Sequence, residues 1–301
     1  MEKSGIGACW AHNLFMLFGV AGVVTWVYAG LPGGRAMGSQ SARRESASSV
    51  PKAYHLTFNE NFNSLSISDG IAGPDAEQRA RWYTHTVQCC LYDTSRPATP
   101  THMAGIGAPA GENPYSRVAD GGLRIRLQRH DGEWYSGVLA TVDKTGTGFS
   151  QQYGYFEMKA RFPAAIGSWP AFWLLNTSAL TEHAPAGEID VVESYMFAPR
   201  KMNVTLHDWT PPAKEVGHAL REVDDLTNGY HTFGLLWTPQ TMTFYCDGAA
   251  LYSLPTPAIM HQPYYPIIDL GLGGGWPTDK MPEHADLDIA YVRVYAADVE
   301  H

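Results

Sequence analysis

The chain contains 301 residues, with 21 basic and 30 acidic side chains and a net charge of −9 at neutral pH. A chain of this length can bury a large core, which argues against intrinsic disorder. The negative charge, without a long run of Lys or Arg, argues against a nucleic-acid partner, because phosphate binding needs clustered cations. The 30 Gly, 20 Pro, 9 Trp, 16 Tyr and 11 Phe instead favour turn-rich β structure with apolar planar surfaces.

The amino-terminal region is predicted to be an export signal followed by a linker. Leu14 to Ala29 is an uncharged, mostly apolar run that is preceded by Lys3 and ends in small residues, as a signal peptide does. The run is slightly short for a spanning helix of roughly 20 residues, so an uncleaved anchor is the alternative. We therefore predict a signal peptide at 1–29, a flexible linker at 30–52 and one folded domain at 53–299, in a secreted or periplasmic protein.

Beyond residue 50 the sequence predicts strands separated by tight turns. Apolar and polar residues alternate at Leu123–Leu127, and three later segments show the same pattern less strictly. Asp131-Gly132 and Asp247-Gly248 are turn signals. The later segments are Tyr155–Phe162, Tyr230–Trp237 and Ile289–Tyr295.

A helical period is visible only at Lys214–Leu226, for which we predict one short helix or a long loop. Many strands without intervening helices predict an all-β domain, a single sandwich of two antiparallel sheets. Lectins, enzymes and scaffolds all use such a fold, so its function depends on particular residues.

The cysteines of the folded region are the adjacent pair Cys89 and Cys90 and the single Cys246. One disulfide from Cys246 to either member of the pair is compatible with an exported protein, and the sequence does not determine the connectivity. Small buried thiols are an equally good interpretation. None of the spacings matches a zinc site.

Three carboxylates fall within six residues of one predicted strand, at Glu188, Asp190 and Glu193. On a regular strand Glu188 and Asp190 share a face, whereas Glu193 points to the opposite face. A β-bulge at Val191-Val192 would return Glu193 to the first face, and bulges occur preferentially beside active sites. The two glutamate Cα atoms would then lie about four strand steps apart, roughly 13 Å.

This set of carboxylates suits glycoside hydrolysis. One carboxyl group must be protonated to act as an acid while another is ionised, and neighbouring like charges separate their titrations. Side chains that lean inward can reach the roughly 5 to 5.5 Å of retaining enzymes, and the spacing also permits the inverting separation of about 6.5 to 9.5 Å. A calcium site and a solvated edge strand are the alternatives.

The sequence around these carboxylates resembles the signature of glycoside hydrolase family 16. Glu188–Glu193 (EIDVVE) and Gly167–Leu175 (GSWPAFWLL) carry the likeness, and it extends over about residues 53 to 297. The resemblance implies a β-jelly-roll sandwich with a concave substrate cleft. It also implies that Glu188 is the nucleophile, Asp190 its assisting carboxylate and Glu193 the acid/base of a retaining enzyme. Further matching motifs are Tyr153–Glu157, Tyr230–Pro239, Phe244–Gly248, Leu270–Pro277 and Tyr291–Tyr295.

Several aromatic residues are candidates for glycan binding, because a flat indole packs well on the apolar face of a pyranose. Trp169 and Trp276 lie in the matching motifs and are expected in the cleft. Trp173 is equally compatible with the cleft and with a buried strand, since the surrounding segment is apolar on both faces. His207 matches a family histidine and is expected to bind a carboxylate or a sugar hydroxyl. Loop packing explains four further aromatics at least as well: Trp82, Tyr195, Phe197 and Trp209.

Departures from the family pattern bear on substrate and metal. Val138 stands where many laminarinase-like members have an arginine, and its surroundings are more similar to members that act on acidic exopolysaccharides or mixed-linkage β-glucans. Ala290 replaces an aspartate that often binds calcium. No metal or cofactor is therefore expected, and Glu60 and Asp288 are the nearby candidates if a structural calcium is bound.

We therefore expect an exported, monomeric, retaining endo-β-glycosidase whose partner is a polysaccharide with β-1,3 or β-1,4 linkages, a β-glucan or a bacterial exopolysaccharide. No nucleic acid is expected as a partner, and no membrane beyond the alternative anchor. An acidic cleft repels an acidic polymer unless cations such as Arg81 or Lys201 lie nearby. A transglycosylase with the same residues and a non-catalytic carbohydrate-binding jelly roll are the alternatives, and the latter has no need of Glu188 and Glu193.

Overall fold

The structure of the protein is a computed structural model that describes residues 50–75, 79–85, 101–119 and 121–298. The proposed signal peptide, nearly all of the linker, Cys89 and Cys90 lie outside the described residues, so those interpretations stay predictions. Within the described ranges, no helix is both long and apolar enough to cross a membrane.

Strands dominate the described part of the chain, as the sequence predicts. The helical segments are the short helix α1 (Ser178–Thr181) and a 3-10 turn at Ala258–Met260. The first nine strands are β1 (Tyr54–Glu60), β2 (Ile67–Ser68), β3 (Trp82–Tyr83), β4 (His102–Met103), β5 (Tyr115–Arg117), β6 (Leu123–His130), β7 (Glu133–Ser136), β8 (Val138–Ala140) and β9 (Gly154–Arg161). The others are β10 (Ser168–Asn176), β11 (Gly187–Glu193), β12 (Lys201–Asp208), β13 (Lys214–Glu222), β14 (His231–Trp237), β15 (Thr241–Cys246), β16 (Ala249–Pro255), β17 (Tyr264–Leu272) and β18 (His284–Ala297).

These strands form two sheets, which confirms the predicted all-β sandwich. Across the described ranges, one sheet has ten strands in the order β16-β15-β14-β9-β18-β6-β7-β4, with β1 also paired to β18 and β5 to β6. The other has eight strands in the order β13-β12-β11-β10-β17-β8-β3-β2. Pairing is antiparallel except in two short pairs, β2 with β3 and β4 with β7, which are parallel.

The main core lies between the two sheets. Phe156 and Trp237 enter it from the ten-stranded sheet, and Phe172 and Ile189 enter it from the eight-stranded sheet, all fully buried. Successive side chains of a strand point to opposite faces. Trp173, the neighbour of Phe172, therefore belongs to a separate apolar cluster on the outer face of the eight-stranded sheet. This outer face also carries the carboxylates of β11.

The prediction of a helix or a long loop at Lys214–Leu226 is wrong. Residues Lys214–Glu222 form β13, which pairs with β12 along its whole length and ends the strand order of its sheet. Both faces of β13 are largely solvated, with Ala219 as its buried residue. The sequence therefore lacks the apolar-polar contrast of a half-buried strand, and pairing with β12 decides the conformation.

Cys246, at the end of β15, is a buried free thiol. Burial raises its pKa to about 12, so the group is protonated and unreactive at neutral pH. This environment agrees with the interpretation as a small apolar side chain. The disulfide alternative involves residues outside the described ranges and stays a prediction.

Candidate active site

The candidate catalytic residues lie on β11, and the predicted β-bulge is confirmed. One residue of β10 pairs with Val192 and the next pairs with Asp190, so Val191 is the extra residue. The register with β12 also shifts between Asp190 and Glu193. The bulge therefore returns Glu193 to the outer face that carries Glu188 and Asp190.

Each carboxylate of β11 lies opposite a polar residue of β12, because the two strands alternate in step. Between them, Ile189 pairs with Leu206, and both point into the main core. The outer face of these two strands is thus polar, and the opposite face packs into the core. The cross-strand pairs on the outer face are Glu188 with His207, Asp190 with Thr205, and Glu193 with Asn203.

Three side chains donate hydrogen bonds to Glu193. The indole Nε1 of Trp169 lies 2.8 Å from Oε1, and the amide Nδ2 of Asn203 lies 3.0 Å from Oε2. The hydroxyl of Tyr195 is the third donor. Burial raises the pKa of Glu193, and the three donors offset this effect only in part. A carboxyl group with a raised pKa retains its proton closer to neutral pH, as a general acid must.

Glu188 has a different environment. Its Oε2 accepts a hydrogen bond from the indole Nε1 of Trp209 at 3.0 Å, and its Oε1 lies 4.0 Å from Nε2 of His207. The His207 ring stacks on Trp209 with a centroid distance of 4.9 Å and an interplanar angle of 21°. Burial, followed by the charge of His218, lowers the pKa of His207 to about 4. The imidazole is therefore neutral at pH 7, and its contact with Glu188 is not an ion pair.

Asp190 lies between the two glutamates and is only 6% exposed. Burial, followed by the charges of Glu188 and Glu193, raises its pKa well above the ordinary value, and Asp269 of β17 adds to the effect. Its Oδ2 lies 3.7 Å from Nε2 of His207. A protonated carboxyl group at this position can donate a hydrogen bond to a neighbouring carboxylate, which suits the assisting role predicted for it.

An aromatic surface adjoins the Glu193 end of β11. Tyr195 stacks on Trp169 with a centroid distance of 5.9 Å and an angle of 14°. Phe197 and Trp276 pack together at 4.6 Å, and each is 47% exposed. Gly274, at a φ of 56°, leaves room for the stacked Trp169 and Tyr195 rings, because a Cβ there would lie 2.7 Å from both. The exposed rings provide area on which a sugar can stack.

Trp173 lies on the same outer face as Trp169, but its side chain is buried. It is 4% exposed, and its indole Nε1 donates to Oδ1 of Asp269 at 2.7 Å. The structure therefore places Trp173 in the floor beneath the carboxylates, where it offers no open face to a sugar. Trp82 is fully buried in the main core, so packing explains it.

One set of donor atoms at the site has the composition of a cation site. Donor atoms of Glu188, Asp190 and His207 lie within 4.8 Å of one another. Two carboxylates and an imidazole can hold a divalent cation. Glu188 and Asp190 are also the predicted nucleophile and its assisting carboxylate, so a bound cation would compete with that chemistry.

The carboxylates named for a structural calcium have arginine partners. Oε2 of Glu60 accepts a hydrogen bond from Nε of Arg81 at 2.8 Å. Asp288 accepts hydrogen bonds from Arg124 and Arg161, which outweigh the effect of burial and lower its pKa. A calcium ion at either carboxylate would have to displace a guanidinium group, and the absence of a cofactor stays a prediction.

Sequence reasoning did not identify all the residues that contact the carboxylates. Asn203 and Thr205 lie four and two positions before His207, respectively, so the alternation of a strand predicts that they share its face. No sequence pattern identifies Asp269 as a site residue, because one aspartate in an apolar run has no distinctive spacing. Trp209 and Tyr195, for which loop packing was an equally good explanation, each donate a hydrogen bond to a glutamate. The remaining unpredicted contact, through His218, depends on the pairing of β13.

Two glutamates with different hydrogen-bond partners lie on one face, and burial raises the pKa of one of them, Glu193. They provide the pair of carboxyl groups that acid/base glycoside hydrolysis needs. The sandwich and its outer face thus define a protein of the glycoside hydrolase class. The sequence profile described as Glycosyl hydrolases family 16 matches residues 112–293. The chain belongs to this family.

Relatives with described activities agree with this assignment. The chain is 33% identical over 262 residues to the endo-1,3-1,4-beta-glycanase EglC of Rhizobium meliloti, with 81% of this chain and 52% of that protein covered. It is 30% identical over 257 residues to the endo-1,3-1,4-beta-glycanase ExsH of the same organism, with the same coverage. The chain spans about half the length of these relatives. A beta-1,3-glucan-binding protein of Penaeus monodon is also similar, 32% identical over 117 residues, covering 35% of this chain and 32% of that protein.

Solved structures share the fold. A laminarinase from Flavobacterium sp. UMI-01 superposes with a TM-score of 0.64 at 22% identity, covering 80% of this chain and all of that one. An endo-beta-1,3-glucanase from Pyrococcus furiosus superposes with a TM-score of 0.63 at 22% identity, covering 82% of this chain and 96% of that one. At this identity the similarity establishes the jelly-roll fold of the family.

Proposed function

We propose that this protein is an exported, retaining endo-β-glucanase that cleaves β-1,3 or β-1,4 linkages of a β-glucan by double displacement. The contrast between the two glutamates carries the proposal. The hydrogen bond from Trp209 stabilises the ionised form of Glu188, whereas burial favours the protonated form of Glu193. Family membership and the similarity to endo-1,3-1,4-beta-glycanases support the same reaction class.

The proposed reaction has two steps. Glu193 transfers its proton to the glycosidic oxygen while the Glu188 carboxylate attacks the anomeric carbon, so the glycosidic bond breaks and a glycosyl-enzyme ester forms. Glu193, now ionised, takes a proton from a water molecule whose oxygen attacks the same carbon and releases Glu188. Two inversions give net retention. Burial and the charges of Glu188 and Glu193 raise the pKa of Asp190, and its protonated form is suited to donate a hydrogen bond to Glu188 as that group leaves.

Charge at the site favours a neutral glucan over an acidic exopolysaccharide. The two cations named from the sequence are already paired with acids. Arg81 donates to Glu60, and Lys201 donates to Glu222 on the neighbouring strand. Neither provides a free positive charge that would offset the negative charge of the ionised Glu188, so an acidic polymer would be repelled.

Export and a monomeric state complete the proposal. Export rests on the signal-like run at 14–29 and on a polysaccharide substrate, which is found outside cells. The proposed mechanism needs no cofactor, because the protein's own carboxyl groups supply the acid, the base and the nucleophile. Sequencing the amino terminus of secreted protein tests export, since a mature chain that starts at Met1 would contradict cleavage of the signal.

The activity is tested by release of reducing ends from laminarin, lichenan, agarose and a succinoglycan-type polymer. We expect release from laminarin or lichenan and loss of at least about a thousandfold in kcat for Glu188→Gln, with glucan binding retained. Glu157→Gln is the matched control, because Glu157 is also a buried glutamate but lies on β9 and accepts hydrogen bonds from Tyr155 and Tyr291. Unchanged hydrolysis in Glu188→Gln would eliminate the proposed nucleophile.

Product analysis separates the alternatives. Proton NMR of the first product is expected to show the β-anomer, whereas an initial α-anomer would contradict retention. Products longer than the substrate would indicate a transglycosylase. Glucan binding without any new reducing ends would indicate a non-catalytic carbohydrate-binding jelly roll. Glucan binding is the activity named for the relative from Penaeus monodon.

A further inference from the structure

A chain of hydrogen bonds leads from β13 across β12 to Glu193. Nε2 of His218 lies 2.7 Å from Oδ1 of Asn203, and Nδ2 of the same amide lies 3.0 Å from Oε2 of Glu193. Asn203 faces Glu193 directly in the strand register, and His218 faces Thr205, the next outer-face residue of β12. The chain therefore follows the outer face of three neighbouring strands.

The orientation of the Asn203 amide matters for Glu193. The Nδ2 end can only donate and the Oδ1 end can only accept. In the orientation of the structure the amide donates to Glu193. In the flipped orientation Oδ1 would face Glu193 and accept the proton of its acid form, which would hold that proton away from a glycosidic oxygen.

The partners of Asn203 show which contact selects this orientation. Nδ2 also lies 3.2 Å from the hydroxyl of Thr205, but a hydroxyl can donate or accept, so Thr205 does not distinguish the two orientations. His218 contacts the Oδ1 end through Nε2, and in the form of the ring that carries a proton on Nε2 this group can only donate there. The flipped amide would place two donors against each other.

We propose that His218 is a positioning residue for the acid/base, which holds the Asn203 amide with its N–H toward Glu193. This inference rests on the proposed function, because it assigns Glu193 the acid/base role. The charged group nearest to the other imidazole nitrogen is Glu215, whose Oε1 lies 3.8 Å from Nδ1. The charge of His218 also acts on Glu193 and His207. Trp169 and Tyr195 still hold Glu193 when His218 is absent, so the expected effect is moderate.

The test compares two substrates that differ in their need for an acid. A β-glucan has a poor leaving group, which needs the proton of Glu193, whereas a 2,4-dinitrophenyl β-glycoside has a leaving group that departs without one. We expect His218→Ala to lower kcat/KM on the glucan about tenfold and on the dinitrophenyl glycoside less than about twofold. His218→Gln should restore activity on the glucan to within about twofold, because its amide N–H can replace the imidazole donor.

The matched control is His55→Ala, since His55 is also an exposed histidine with a carboxylate partner, Asp298, and lies on β1 of the other sheet. This variant should leave both substrates unchanged. An equal loss on both substrates in His218→Ala, or no loss on either, would overturn the positioning role.

A second measurement does not depend on activity. The titration of Glu193, followed by carbon-13 NMR of its labelled carboxyl group, should lie at higher pH in His218→Ala than in His218→Gln, because both variants lack the imidazole charge and only the alanine variant also loses the Asn203 donor. Identical titrations in the two variants would overturn the inference. A wild-type protein that cleaves no glycan would instead refute the proposed function, and the titration would still test whether His218 controls Glu193.

Discussion

Replacing Trp209 by Phe should move only the acidic limb of the pH profile. The indole Nε1 of Trp209 donates to Oε2 of Glu188 at 3.0 Å and stabilises the ionised form that attacks the substrate. A phenyl ring retains an aromatic face for stacking on His207 but has no donor. The substitution therefore removes one hydrogen bond and preserves most of the packing.

The magnitude follows from the environment of Glu188. A hydrogen bond to a charged group contributes about 1.5–3 kcal/mol, and each 1.36 kcal/mol corresponds to one pH unit. Glu188 is only 9% exposed, so water replaces the lost donor incompletely. We expect the acidic limb to move upward by about one to two pH units. At pH values below the new limb, kcat/KM of the variant falls about tenfold for each pH unit, and at pH values above it the loss of kcat/KM is small.

The assay is kcat/KM on a soluble β-glucan as a function of pH, because this parameter reports the ionisation of the free enzyme. Trp169→Phe is the matched control, since it removes a donor to Glu193 at 2.8 Å. In that variant the ionised form of Glu193 is destabilised, so the alkaline limb should move upward while the acidic limb stays. An unmoved acidic limb in Trp209→Phe, or movement of the same limb in both variants, would refute the assignment of roles to the two glutamates.

Three further predictions test other parts of the structure. Deletion of Val191 removes the bulge but leaves Glu193 on the outer face, because Glu188 and Glu193 are then an even number of residues apart. We expect a folded protein that is destabilised by about 1–3 kcal/mol and still hydrolyses glucan measurably. A folded but inactive variant would contradict this expectation. Trp276→Ala removes a half-exposed ring and should raise the Kd for glucan oligosaccharides about 3- to 10-fold in calorimetry, and an unchanged Kd would exclude this ring from binding. His231 donates a hydrogen bond to the Asp247 carboxylate that raises the pKa of His231, so the stability it contributes is complete below the unfolded value of about 6.5 and falls as pH rises through the folded-state pKa. Urea unfolding of His231→Asn should therefore show a loss of about 1–3 kcal/mol at pH 6 and a smaller loss at pH 9, and equal losses would contradict the linkage.

The strand that carries the carboxylates was predictable in detail because its constraint is local. Glu188 and Glu193 are an odd number of residues apart, so a shared face requires one extra residue, and the structure places that residue at Val191. The role of Trp173 was not predictable to the same extent. Its place on the outer face follows from alternation, but its burial depends on what packs above the sheet and on the hydrogen bond to Asp269.

Contacts that depend on pairing between distant segments could not be predicted from the sequence. The segment of β13 has no clear period of two, because an end strand with two solvated faces has no apolar side to mark it. His218 therefore gave no signal, although it contacts Asn203 once β13 pairs with β12. Trp209 likewise follows the end of β12, and its donor reaches Glu188 only because of the path that the chain takes there.

The different environments of the two glutamates come from the register of β12 more than from the motif on β11. The motif provides two glutamates on one face, and β12 places an amide opposite Glu193 and an imidazole opposite Glu188. A slip of one residue in this pairing would turn the polar residues of β12 toward the core and Leu206 outward. The buried partners of Leu206 in the main core oppose such a slip. Packing of the apolar layer therefore fixes the register that gives the two carboxyl groups their different cross-strand neighbours.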